Sequence, residues 1–185
     1  RGNRALGLLI RSLQGVRGGY CRHGVIAAYY ANVRSILEYA SVIWGGAAPS
    51  HVERLERIQH KFLCFLAGTR RDRYDMSDYD ALCLCYNVNK LAKRRTAIDL
   101  SFVHGVLSGR IESPLLLGQF SLRVPARATR NAEFMFVPPG RIAVTMSSLF
   151  SRMPRVLNTF LQSHPSFDVF YDTRCTLLRL YYAAS

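Results

Sequence analysis

Residues 33–68 read VRSILEYASVIWGGAAPSHVERLERIQHKFLCFLAG, and this stretch decides the fold class. With the residues just before it, it sets Ile26, Tyr29, Tyr30, Val33, Ile36, Leu37, Ala40 and Ile43 three or four apart, the spacing of one face of a helix over 23–44. Gly45 and Gly46 stop that helix, since glycine readily adopts the backbone angles that end one. Ser50 then caps a second helix and Glu53, three residues on, completes a capping box. Val52, Leu55, Ile58, Phe62, Leu63, Phe65 and Leu66 hold one face of it; Glu53, Arg54, Glu56, Arg57, His60 and Lys61 mostly hold the other. Two amphipathic helices joined by a Gly-Pro break have apolar stripes to bury, so a helical bundle is the expected architecture.

The flanking sequence extends the pattern. Leu6, Leu9, Ile10 and Leu13 predict a helix over 4–13, closed by the glycines of GVRGGY. TRRDRYDMSDYD, residues 69–80, reads as an exposed charged loop. A short helix over 80–87 and a longer one over 88–109 follow, the latter carrying Leu91, Ala97, Ile98, Leu100, Phe102, Val103, Val106 and Leu107 and ending at Gly109. FSLRVP and EFMFVPP, residues 120–125 and 133–139, have the look of short extended segments and predict a small β-hairpin. Helical spacing returns over 146–162, with Pro154 expected to kink the helix or mark its start. The expected fold is therefore all-α, mainly a helical bundle, with a minor short β-hairpin. It divides into a helical region 1–112, an extended segment 113–141, and a C-terminal helix with a poorly ordered tail, 142–185, in which periodicity is legible only over 176–182.

Charge points to a polyanion. Across 185 residues, 25 Lys and Arg against 12 Asp and Glu give a net charge of +13 and a pI near 10.1, and a surface that positive repels itself unless an anionic partner neutralises it. The basic residues cluster: Arg70, Arg71 and Arg73; Lys90, Lys93, Arg94 and Arg95; then Arg123, Arg127, Arg130 and Arg141 through the proline-bounded region. These are the expected phosphate contacts, with Tyr74, Tyr79, Phe134 and Phe136 near enough in sequence to stack on unpaired bases, although core packing is the expected role of both phenylalanines. RNA, an RNA–DNA hybrid or DNA is the expected partner. No membrane is expected, because the most apolar stretch, 36–48, is too short to span a bilayer and carries Glu38.

Catalytic wording is missing: there is no nucleophile elbow, phosphate-binding loop or dinucleotide glycine pattern, and the five histidines stand apart from Ser, Cys or carboxylates in any recognisable catalytic order. Cys83 and Cys85 would be half of a metal site with His104 or Cys64, but they make a single knuckle where structural zinc sites usually show two, so buried thiols are the expectation. Asp75, Asp78 and Asp80 lie among arginines and read as a self-neutralising surface rather than a magnesium site. The odd, irregular set of Cys21, Cys64, Cys83, Cys85 and Cys175 fits a reducing, intracellular compartment. Neither a catalytic residue nor a metal or cofactor is expected in this chain.

The wording VRSILEYASVIWGGAAPSHVERLERIQHKFLCFLA resembles the region following the polymerase core in reverse transcriptases of jockey-like non-LTR (LINE-type) retrotransposons. LAKRRTAIDLSFVHGVLSGRIESPLLL resembles the next part of that region, and FSLRVPARATRNAEFMFVP its Leu-Arg-Val-Pro segment, in the family's order across roughly residues 4–161. The loop TRRDRYDMSDYD and the stretch RIAVTMSSLFSRMPRV depart from the family's pattern. The resemblance implies a thumb and post-thumb region that holds template RNA and primed DNA, part of a ribonucleoprotein of nucleus and cytoplasm. Magnesium belongs to the parent polymerase's Ala-Asp-Asp turn, which this sequence does not contain. A rival reading is a basic scaffold whose 23–68 hairpin docks on a protein, most obviously the polymerase palm of the same parent chain, through Tyr29, Val33, Phe62 and Leu66. That reading requires those side chains to be exposed.

Overall fold

The computed structural model describes residues 1–14, 21–68, 76–123, 133–139 and 148–183. Arg70, Arg71, Arg73, Tyr74, Asp75, Arg127, Arg130 and Arg141 lie outside them. The chain forms two compact units, one of 1–41 and 47–94, the other of 42–46 and 95–185. The division falls between Arg94 and Arg95, whereas the change of sequence pattern suggests a break at 112.

The first unit holds α1 (Gly2–Gln14), α2 (Arg22–Tyr29), a π-helical turn (Tyr30–Arg34), α3 (Ser35–Glu38), α5 (Pro49–Ala67) and α6 (Tyr79–Cys85). It also takes the opening of α7 (Leu91–Leu107). Its core is built on Tyr29, Val33, Phe62, Leu63 and Leu91, with the Tyr29 and Phe62 rings stacked at 4.0 Å and 8°. The single helix expected over 23–44 is broken: the π-helical turn interrupts it, and Ala40, at φ 51°, ends it before α4 (Ser41–Trp44). Tyr29, Val33 and Leu37 still face inward, but Ile36 and Ile43, expected on the same stripe, are exposed.

Pro49 explains why the capping box does not form. Its fixed φ and absent N–H suit the first helical position, so α5 starts there with Ala48 as its N-cap and no side-chain cap. Ser50 is thereby drawn inside the helix, and Glu53 pairs with Arg57 at 2.5 Å. At the other end Gly68 takes the left-handed conformation, φ 68°, and its N–H bonds the Phe65 carbonyl at 3.2 Å.

The second unit holds the rest of α7, α8 (Pro114–Leu117), α9 (Leu149–Ser163) and α10 (Arg174–Ala183). Leu100, Val103, Met135, Met153, Leu157 and Leu177 are fully buried at its centre. α9 runs on through Pro154 rather than starting there, and the tail expected to be poorly ordered carries α10, which takes in the 176–182 stretch where spacing was legible. The expected β-hairpin is not formed. Among the described residues there is no strand, only one antiparallel bridge between Leu122 and Met135, flanked by Arg123 N–H to Phe134 C=O and Phe136 N–H to Ser121 C=O, both 2.9 Å. Outward from the bridge the next hydrogen-bonded pair would be Gln119 with Pro138, but the Gln119 N–H closes the α8 turn on the Leu116 C=O at 3.1 Å and Pro138 has no N–H to give. The other edge of Met135 is used as well. Its N–H donates to Asn158 Oδ1 and its carbonyl accepts from Asn158 Nδ2, both at 2.9 Å, so a side chain of α9 stands where another strand would pair. The domain class is all-α.

Candidate functional site

The basic cluster at the start of α7 is largely engaged within the protein. Lys90 Nζ lies 2.6 Å from Asp80 Oδ1, and that hydrogen bond holds its ammonium pKa above the ordinary lysine value. Arg94 grips Glu38 with both prongs, Nε to Oε1 at 2.5 Å and Nη2 to Oε2 at 3.0 Å. Arg95 is buried in the second unit, its guanidinium 5.8 Å from the centre of the Trp44 ring, and Lys93 is partly buried. Arg123 pairs with Glu133 at 2.9 Å on the surface of the second unit. Of the rings considered for stacking, Tyr79 is buried; Phe134 packs against the second core, edge-on at 6.1 Å from Phe170, as expected, whereas Phe136, also expected in the core, is exposed. Tyr29, Val33 and Phe62 have no exposed surface and Leu66 is partly buried, so this face is core and not a free docking surface.

Exposed cations lie elsewhere, where charge clustering gave no signal. In the first unit Arg4 and Arg11, seven residues apart and so on one side of α1, are exposed, and that helix carries no acidic residue. Arg1 and Arg22 are exposed as well. In the second unit Arg174 and Arg179 are exposed on α10, also without an acidic residue.

A row of buried polar side chains runs along α5, on the side read from sequence as solvent-facing. Glu56, Gln59 and His60 are all buried, with Cys64 one turn beyond. The Glu56 carboxylate accepts from Tyr79 Oη–H at 2.5 Å and from the backbone N–H groups of Leu91 at 3.1 Å and Ala92 at 2.6 Å. It thus sits at the positive end of α7 and satisfies donors that the helix cannot bond itself. Gln59 donates to Tyr79 Oη at 2.9 Å and to Asn89 C=O at 3.1 Å, and its Oε1 accepts from Tyr29 Oη–H at 3.2 Å. Burial pushes both phenols well above the ordinary tyrosine value, and at Tyr79 the neighbouring Glu56 charge adds to it. They are hydrogen-bond donors, not acids, at any physiological pH.

Beside this network three potential ligand atoms converge. His60 Nε2 lies 3.1 Å from Asp78 Oδ1 and 3.2 Å from Cys64 Sγ, and all three atoms fall within 4.8 Å of one another. His60 and Cys64 are one helical turn apart on α5; Asp78 is the N-cap residue of α6. The Tyr79 ring meets the imidazole edge-on at 5.6 Å and fixes its plane. This is not a proton-relay triad, since a relay places carboxylate and nucleophile on opposite ring nitrogens and here both lie on Nε2. The knuckle considered from sequence is not part of it: Cys83 is buried with its thiol pKa raised by burial, and Cys85 is exposed.

The second unit has its own polar interior. Arg152 bonds Asp99 at 2.8 and 3.2 Å and the Val42 carbonyl at 2.7 Å. Burial raises the Asp99 pKa, against the pull of Arg152. His104 Nε2 contacts the Asp172 carbonyl at 3.0 Å, and burial lowers its pKa. A cavity of about 330 Å³ opens between α7, α9 and α10, lined by Leu100, Val156, Phe160 and Tyr181, with Arg155 and His164 among its polar groups. No family model, curated protein or solved structure matches this chain.

Proposed function

We propose that this chain is the nucleic-acid-binding, thumb and post-thumb part of a non-LTR retrotransposon reverse transcriptase. It binds RNA, RNA–DNA hybrid or DNA by its positive surface within an intracellular ribonucleoprotein, and leaves catalysis to a palm encoded elsewhere in the parent protein. The reading rests on the net charge of +13, and the three ordered sequence segments supply the family. The exposed arginines of α1, on a helix with no carboxylate to neutralise them, supply a place for phosphate contact. Binding is electrostatic: each phosphate neutralised releases counterions, so affinity falls as salt rises and backbone shape counts for more than base sequence.

Fluorescence anisotropy of the chain on an RNA–DNA duplex across a salt series tests this. Affinity should fall steeply with salt, and Arg4→Glu with Arg11→Glu should weaken binding and lower the log–log slope by roughly one to two, about one per lost phosphate contact. A wild-type affinity indifferent to salt, or no binding, rejects the proposal.

A further inference from the structure

We propose that His60, Cys64 and Asp78 form a zinc site, with a water completing the coordination. Neither the sequence motifs nor the nucleic-acid reading calls for it. A tetrahedral zinc ion with bonds of about 2.0–2.3 Å holds its ligand atoms roughly 3.3–3.8 Å apart. The observed 3.1 Å from nitrogen to oxygen and 3.2 Å from nitrogen to sulfur fall slightly short of that range, so the three side chains need only spread by a few tenths of an ångström to take the ion. The third edge, at most 4.8 Å, closes the triangle. Imidazole, thiolate and carboxylate together suit a borderline-soft ion better than magnesium or calcium, which favour all-oxygen shells.

Without metal, Nε2 has one proton or one lone pair to offer, so it makes one full hydrogen bond although a carboxylate oxygen and a sulfur both approach it closely. A cation at the centre of the triangle engages all three atoms at once. The Asp78 side chain is 20% exposed against 6% for His60, which gives the ion a way in from solvent. Neutral His60 binds through the Nε2 lone pair with its proton on Nδ1, Asp78 binds as carboxylate, and Cys64 releases its thiol proton as the zinc–sulfur bond forms. Zinc affinity therefore rises with pH.

The test uses the full chain, stripped of metal by a chelator and titrated with cobalt(II), then with zinc. Cobalt should give the near-ultraviolet thiolate charge-transfer band and the intense visible bands of a tetrahedral site, and zinc should bleach both. Cys64→Ser should abolish the charge-transfer band, Asp78→Asn should weaken zinc binding about tenfold or more, and Cys83→Ser, next to the site but outside it, should change neither. Absence of the band in the wild-type chain, or its survival in Cys64→Ser, overturns the proposal; the wild-type measurement decides even if a variant misfolds. Duplex binding is read separately by anisotropy, so failure here leaves the nucleic-acid reading standing.

Discussion

Glu56 carries its carboxylate into the core of the first unit, where Tyr79, Leu91 and Ala92 all donate to it. Removing it strands three donors, and a buried donor left unpaired costs about 1–3 kcal/mol. Glu56→Ala should therefore lower unfolding free energy by roughly 3 kcal/mol or more in urea denaturation, and Glu56→Gln by less, because an amide oxygen still accepts. A loss under about 0.5 kcal/mol, the range of an ordinary surface substitution, would refute this role. Polarity alone placed Glu56 and His60 on the wet side of α5; the groups that satisfy them come from residues 78, 79, 91 and 92, and no local spacing reveals that. His104 makes a pH prediction. Burial lowers its pKa below 6.5, so under acid the unfolded chain takes up a proton that the folded chain resists. Its contribution is complete above pH 6.5 and is lost as pH falls toward and through the folded value. His104→Gln should flatten the dependence of the urea midpoint between about pH 7 and 5, and an unchanged slope would exclude His104 as its source.

Elements were legible where one face is apolar and the other wet. That is true of α1, α9 and the apolar side of α5, whose core residues Ile58, Phe62 and Leu63 follow from periodicity. It fails where the backbone departs from a regular helix, as at the π-helical turn of Tyr30–Arg34, where the Arg34 guanidinium lies 3.3 Å over the Tyr30 ring. It fails again in the described parts of 120–125 and 133–139, where two short extended segments predicted a hairpin but a single bridge forms and the Met135 N–H and C=O both bond Asn158 on α9. Asn158→Ala should leave both Met135 groups unpaired inside the core and lower stability by about 2 kcal/mol. Hydrogen exchange at the Met135 amide should rise before that of the α9 backbone. Equal protection in variant and wild type would show that the side chain does not hold the segment.

At the scale of the whole molecule, the net charge of +13 says that a polyanion is a fitting partner but not which arginines meet it. Clustering in sequence favoured residues 90–95, because adjacent cations look like a patch. Folding divides them: Arg94 is clamped on Glu38, from 56 residues away, and Arg95 is buried. Arginines spread thinly along α1 have no carboxylate on their own helix and are exposed, a distinction that only tertiary structure makes. The two groups should therefore respond differently to charge reversal. Arg94→Glu sets two carboxylates together where a two-pronged ion pair stood, and should cost about 3 kcal/mol or more of stability, as breaking a partly buried pair does. Below its melting transition it should bind an RNA–DNA duplex with nearly the wild-type salt slope. Arg4→Glu with Arg11→Glu should leave unfolding within about 0.5 kcal/mol of wild type, as exposed substitutions do, while binding weakens and the slope flattens. Thermal melts and anisotropy titrations on the same preparations separate the two. If reversal at Arg94 flattens the slope and reversal on α1 does not, phosphate contact belongs to the α7 cluster after all, and the Glu38 pair must open when nucleic acid binds.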